Sequence, residues 1–392
     1  MMHGRVMWSL DYARFRPTSI GQEVGAGRSP SRACCATSSL RFIVIIMDDG
    51  VAHLGSIIAA HLREWDTSPA FVELAIFESD DAGVIAAAID AFCARHLGAR
   101  VAGGLFHQSS IGSVTGIMLS DGRRVVIKAH QPDREVALLA EVARIQSYLA
   151  ARGLFAAEVV AGPLPLGQGH AIAEQYIDFG TTADAHRPEI RRALARGLRA
   201  IVTTCEPLVA TTCLRPALLA SPLAALWPTP HSRLFDFDAT AAGAEWIDDI
   251  ARLARERMAP AGVEVIGHDD WRQEHVRFVV DEPVAAFDWD GLCRQHEPAL
   301  LGCVAHGFCA DWSRNERRQA PTLAEARAFV RDYETARGSS FSAPERRLCA
   351  AAFAYSCAYT ARCGHALGKD ERSEAGTFAH LAWTEREGLL AL

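Results

Sequence analysis

Two stretches hold the residues best suited to chemistry. The first is His268-Asp269-Asp270-Trp271-Arg272-Gln273-Glu274-His275, which runs on into Val276-Arg277-Phe278. The second runs from Pro283 to Asp290 and ends Phe287-Asp288-Trp289-Asp290. Short apolar runs at Val263 to Ile266, Val276 to Phe278 and Val284 to Phe287 frame them. The first stretch therefore reads as a polar loop after a strand, and the second as a carboxylate pair leaving a tight hairpin. Asp270 and Asp288 lie about 18 residues apart, and acids at two strand ends can converge on one point. Phosphoryl transfer requires such a pair. One carboxylate orients the attacking hydroxyl and accepts its proton, and another holds a Mg²⁺ ion that bridges the nucleotide phosphates.

The elements that must position these acids follow from periodicity. From Met47 to about Leu97 the pattern is helical, with stripes at Ile57, Ile58, His61 and Leu62 and at Ile85, Ile89 and Phe92. The period then changes. Val101 to Gln108, Ser113 to Leu119 and Arg124 to Lys128 read as strands, and Ser120-Asp121-Gly122 marks a hairpin turn. Asp133 to about Ala151 is a helix with Leu138, Val142, Ile145 and Leu149 on one face, stopped by Gly153. Val159-Val160 and Ala171 to Ile177 are further strands, joined by a turn over Pro163 to Gly169. The remainder is mostly helical, with helices around Trp246, Ile250 and Leu253, over Ala324 to Tyr333 and over Leu348 to Ala361. A small antiparallel sheet followed by a helical region is an α+β arrangement.

Residues 1–46 stand apart. They are rich in Arg and Ser and lack a hydrophobic period. A disordered tail, an extension read from too early a start codon with Met47 as the true start, and a targeting segment are the three readings.

Composition narrows the partners. The chain has 392 residues, 49% hydrophobic and 22% charged, as expected of a globular protein with a sizeable core. A net charge of -7 and the lack of any basic run argue against nucleic-acid binding. No apolar stretch approaches the ~20 residues of a membrane span, Phe42 to Met47 being the best candidate. Eleven cysteines without a CxxC spacing read as buried thiols of a reducing cytoplasm. Cys303, His306, Cys309, Cys357, Cys363 and His365 sit on apolar helices, where buried thiols are expected rather than a zinc site. Gly364 to Asp370 resembles a P-loop but has one residue too few between its glycines and no hydroxyl for the metal.

From Val101 onward the chain resembles the aminoglycoside phosphotransferase and choline kinase family, which has a protein-kinase-like, two-lobed fold. The family pattern is His-Gly-Asp-x-x-x-x-Asn followed by Ile-Asp-Trp-Asp. The resemblance implies that His268 props the loop, Asp270 is the catalytic-loop Asp that acts as base or orients the hydroxyl, Asp288 binds metal and Asp290 is the second acid of the run. It implies that Lys128 steadies the nucleotide phosphates, that Ser110, Gly112 and Ser113 cover the nucleotide, and that Glu174 to Ile177, Tyr176 included, lie where backbone groups take the adenine edge. Kinase folds pair the strand Lys with a Glu of the next helix. Glu141, mid-helix, is preferred over Glu135, which the helix dipole explains.

The implied organisation is residues 47–98 as a helical segment, 99–177 as a nucleotide-binding lobe and 178–392 as a helical lobe with the catalytic loop and substrate site. The implied activity is ATP-dependent transfer of the γ-phosphoryl group to a hydroxyl of a small aminoglycoside-, choline- or sugar-like molecule, with Mg²⁺ or Mn²⁺. A mildly acidic surface suits a cationic acceptor.

Two departures bear on that implication. Asp269 replaces the small Gly, and His275 stands where the Asn metal ligand belongs. His275 either orders the loop or acts as a ligand. As a ligand it must be neutral, which favours Mn²⁺ over Mg²⁺ and predicts an activity loss as pH falls through about 6.5. A nucleotide-binding pseudokinase with a scaffold or sensor role is the alternative. Trp271 and Trp289 are expected to pack rather than cradle substrate.

Overall fold

A computed structural model describes residues 38–65, 70–216, 225–313 and 318–392. The chain divides into two compact units. One comprises the described residues through Arg134 together with Val160–Tyr176, and the other Glu135–Val159 with Ile177–Leu392.

The first unit begins with helices α1 (Ser38–Trp65), α2 (Phe71–Phe77) and α3 (Ala82–His96). Helix α1 thus starts inside the segment that the sequence pattern set apart as 1–46; the rest of that segment lies outside the described residues. Strands β1 (Val101–Ser109), β2 (Ser113–Leu119) and β3 (Arg124–His130) form the expected meander, closed by Gly122 at φ 87. Strands β4 (Val159–Leu166) and β5 (Gly169–Gln175) complete a sheet of order β1-β2-β3-β5-β4. Pro163 therefore lies in a strand rather than opening a turn. Strand β4 is the sheet edge, where a missing N–H leaves no interior ladder bond unmade. The turn shrinks to Gly167-Gln168, and Gly167 is required there: it has φ +59, and a Cβ would lie 2.0 Å from the Ile76 carbonyl oxygen. Leu54, Ile58, Ile85, Ile89 and Phe92 of the helices bury against Ile117, Val125, Ile127 and Ala173 of the sheet.

The second unit contains α4 (Val136–Ala150), α5 (Pro188–Cys205), α6 (Glu245–Glu256), α7 (Glu297–Gly307), α8 (Leu323–Arg337), α9 (Ala343–Ala366) and α10 (Phe378–Thr384). Helix α4 sorts here and not with the sheet, because its Val142, Ile145 and Leu149 join the core formed by Ile190, Leu194, Leu198 and Trp289. The buried stripe of α6 is Ile247, Ile250, Ala251 and Ala254, so Leu253 faces outward. Two small antiparallel pairs interrupt the helices: β6 (Glu264–His268) with β9 (Leu292–His296), and β7 (Val276–Val279) with β8 (Glu282–Ala286). Strand β9 and helix α5 were not anticipated as separate elements. The described cysteines are free thiols, all buried except Cys213. Among the described residues no helix is long and apolar enough to cross a membrane.

Candidate active site

In the second unit the site is built by two strand pairs. The β7–β8 register sets Val276 opposite Ala286, and one residue further the Phe287 N–H donates to the His275 carbonyl oxygen at 2.9 Å. That step brings His275 alongside Asp288. The β6–β9 register sets His268 opposite Leu292, and the Asp269 N–H donates to the Gly291 carbonyl oxygen at 2.9 Å. That step brings Asp270 to the turn in which the Gly291 N–H donates to the Asp288 carbonyl oxygen. Asp288 itself sits in the left-handed region at φ 59, a conformation that Asp tolerates better than most residues. As a result, one ligand atom each from Asp270, His275 and Asp288 lies within 4.8 Å of the others.

The surroundings fix that cluster. His268 is buried, and its Nε2–H donates to the Phe287 carbonyl oxygen at 3.2 Å, so it props the second stretch against the first. Trp271 is buried and donates Nε1–H to the Leu194 carbonyl oxygen; Trp289 is buried and donates to that of Ala286. Both indoles therefore pack. Gln273 accepts the Ala185 N–H and donates to the Cys309 carbonyl oxygen, each at 2.6 Å. Glu274 accepts the N–H groups of Trp312 and Ser313. Asp290 is exposed at the turn.

Arg272, which the sequence pattern did not single out, reaches across the site. Its guanidinium forms an ion pair with Asp270, donates to Glu274 at 3.1 Å and donates Nη2–H to His275 Nε2 at 3.1 Å. The only available signal was a basic residue two positions after the candidate acid. Burial pushes the Asp270 carboxyl up, but the charges of Arg272 and His275 outweigh it and hold the group below the usual range. Burial and then the Asp270 charge push neighbouring Asp269 up to about 8.

The state of His275 follows from its partners. Its Nδ1 lies 3.0 Å from the Asp270 carbonyl oxygen, which can only accept, so Nδ1 carries the proton. The lone pair is then on Nε2, 3.7 Å from the Asp288 carboxylate. Burial first, and the Arg272 charge second, push its pKa down to about 4. The inflection expected near 6.5 therefore moves to acid pH, because a charged imidazole cannot be solvated there. Two carboxylates and a neutral imidazole anchored by a backbone carbonyl are a donor set that fits a divalent cation.

The first unit holds the other candidate residues. Lys128 is 3% exposed, with its Nζ 3.8 Å from Glu174 Oε1. The register explains the pair: Glu174 stands opposite Val126, two residues along β3 from Lys128, so both side chains project from one face. The sequence pattern placed the Lys partner on α4 instead. Glu141 there accepts two hydrogen bonds from Arg144 at 2.8 Å and one from Thr212 at 2.5 Å, and Glu135 pairs with Arg215. Tyr176, placed at the adenine edge by resemblance, donates its N–H to the Arg124 carbonyl oxygen at 3.2 Å and lies under the Arg124 guanidinium. Ser110, Gly112 and Ser113 form the β1–β2 turn, in which the Ser110 N–H donates to the Gly112 carbonyl oxygen. The turn is tied to the end of β3 by Gln131, which donates to the Ile111 carbonyl oxygen at 2.6 Å. Among the described residues no cysteine belongs to a group that could hold a metal ion.

A five-stranded antiparallel sheet with a Lys on its third strand, and a helical unit carrying an acid-bearing loop and hairpin, define the protein-kinase-like α+β fold. No protein-family model matches the chain, and no curated protein is similar to it in sequence. Solved structures are similar. One is a protein from Ralstonia eutropha JMP134 assigned as an aminoglycoside phosphotransferase, with a TM-score of 0.50 at 12% identity, covering 78% of this chain and 97% of that one. Another is an amicoumacin kinase in complex with AMP-PNP, Ca²⁺ and Ami, with a TM-score of 0.50 at 11% identity, covering 72% of this chain and 86% of that one. At such identity the likeness speaks for the fold.

Proposed function

We propose that the protein is a small-molecule kinase that transfers the γ-phosphoryl group of ATP to a hydroxyl of an aminoglycoside-, choline- or sugar-like acceptor. The observation that carries this reading is the convergence of Asp270, His275 and Asp288 within 4.8 Å, in a fold shared with phosphotransferases. Asp270 orients the acceptor hydroxyl. As that oxygen bonds to the γ-phosphorus and the bond to the departing ADP oxygen breaks, the hydroxyl proton passes to the Asp270 carboxylate. Asp288, with His275 Nε2, would hold the divalent cation, whose chemistry is to neutralise charge on the phosphate oxygens. Lys128 would contribute a second positive charge to those oxygens. Arg272 must exchange its bonds to Asp270 and to His275 Nε2 for bonds to phosphate, a role suited to its planar fork. Asp290 would be the second acid of the run that carries Asp288.

One observation favours a second reading, a nucleotide-binding pseudokinase: the Arg272 ion pair neutralises the acid that transfer would need. Calorimetric titration of ATP with and without Mg²⁺, followed by ADP release over a panel of hydroxylated amines and sugars, separates the two. Metal-dependent ATP binding with acceptor-dependent ADP release is expected. Metal-dependent binding without release to any acceptor would favour the pseudokinase.

A further inference from the structure

A second group of metal-competent side chains lies in the first unit, beside the β1–β2 turn. His61 of α1, Glu73 of α2 and His107 of β1 each offer a ligand atom within 4.8 Å of the other two. Glu73 is 2% exposed and His107 4%. Glu73 Oε1 and His107 Nε2 are both buried without a hydrogen-bond partner, and they face each other at 3.7 Å. That is too long for a hydrogen bond, and leaving two buried polar atoms unmade is costly. It is close to the separation of about 3.3 Å between two ligands of a tetrahedral ion with bonds of ~2.0–2.1 Å.

The remaining contacts orient the two rings. His107 Nδ1 is 2.9 Å from Thr115 Oγ1 on the adjoining strand. That hydroxyl can accept the Nδ1 proton, the tautomer in which Nε2 is free to bind a metal ion. A cation between Nε2 and the carboxylate would satisfy both buried atoms. The His61 ring is held by Ser109, whose N–H donates to Nε2 at 3.1 Å with Oγ at 3.0 Å, a bond that a metal ion at His61 must displace. Burial and then the neighbouring His107 push the His61 pKa down to about 4, so its imidazole is neutral.

We propose that Glu73 Oε1, His107 Nε2 and a ring nitrogen of His61 form a divalent-metal site of the zinc class that ties α1 and α2 to β1. Two imidazoles and a carboxylate suit Zn²⁺ or Co²⁺, whereas Mg²⁺ and Ca²⁺ prefer all-oxygen shells. Three protein ligands leave one tetrahedral position open, and partly exposed His61 provides the route in. The site stands independently of the phosphotransfer reading.

The test is titration of chelator-stripped full-length protein with Co²⁺, read by visible d–d absorption, and with Zn²⁺, read by melting temperature. Wild type is expected to show the intense bands of four-coordinate Co²⁺ and a melting temperature raised by Zn²⁺. Glu73→Gln and His61→Ala should weaken that binding by at least about 100-fold, since losing a ligand exceeds the 10–100-fold cost of losing a supporting contact. Asp288→Ala should leave the signal in place, which separates this site from the Asp270 cluster. His61 is only partly buried, so its variant keeps the test open if Glu73→Gln does not fold. Absent four-coordinate Co²⁺ bands in wild type, or bands that survive His61→Ala unchanged, would overturn the proposal.

Discussion

At the scale of single residues, His275 and Asp269 decide how far this site departs from its relatives by fold. With the proton on Nδ1, His275 offers a soft nitrogen to the cluster, so activity is expected to be higher with Mn²⁺ than with Mg²⁺. His275→Asn should reverse that preference. Because burial keeps the imidazole neutral down to about pH 4, the wild-type preference should persist from pH 8 to pH 5 without an inflection near 6.5. A shared metal preference in both proteins would make His275 a loop-ordering residue only. Asp269 carries a second prediction, in the metal-free protein. Its folded pKa of about 8 lies above the ordinary 3.8, so its contribution to stability is complete below about 3.8 and is lost as pH rises through about 8. In EDTA, the melting temperature of wild type should fall from pH 5 to pH 8 more steeply than that of Asp269→Asn, which mimics the protonated acid. Parallel curves would place Asp269 in a more polar setting.

At the scale of elements, register determines partners that spacing along the chain does not. The meander, the Lys128 strand and helix α4 were legible from period changes and from the Asp121-Gly122 turn. The loop and hairpin that carry Asp270 and Asp288 were legible because each acid sits next to a short apolar run. Glu174 as the neighbour of Lys128 was not legible. Strand β5 joins β3 only after α4 and β4 have intervened, and sequence carries no direct mark of that pairing. His61, Glu73 and His107 were hidden for the same reason, coming from three elements. His61 looked like a member of an apolar stripe. Strand β4 was truncated at Pro163 because an edge position cannot be told from a central one in a single chain. Two variants test these assignments. Breaking a buried ion pair costs about 3–5 kcal/mol, so Glu174→Ala should lower unfolding stability by that order, while Glu141→Gln changes it little. Leu149→Ala, on the buried face of α4, should cost about 2–5 kcal/mol by urea melt. Equal effects of the two Glu variants would remove the special standing of the Lys128–Glu174 pair.

At the scale of the whole molecule, one unit holds Lys128 and the other holds Asp270 and Asp288. What separates an active kinase from a pseudokinase is then whether Asp270, paired with Arg272 in the free protein, takes part in chemistry. The most direct measurement compares wild type with Asp270→Asn for ATP affinity and for ADP release on an acceptor found by the panel. In the proposed reading Asp270 touches the acceptor hydroxyl and not the nucleotide. The variant should therefore bind ATP with near wild-type affinity and release ADP about 10²–10⁴-fold more slowly. Near wild-type turnover by Asp270→Asn would contradict the account.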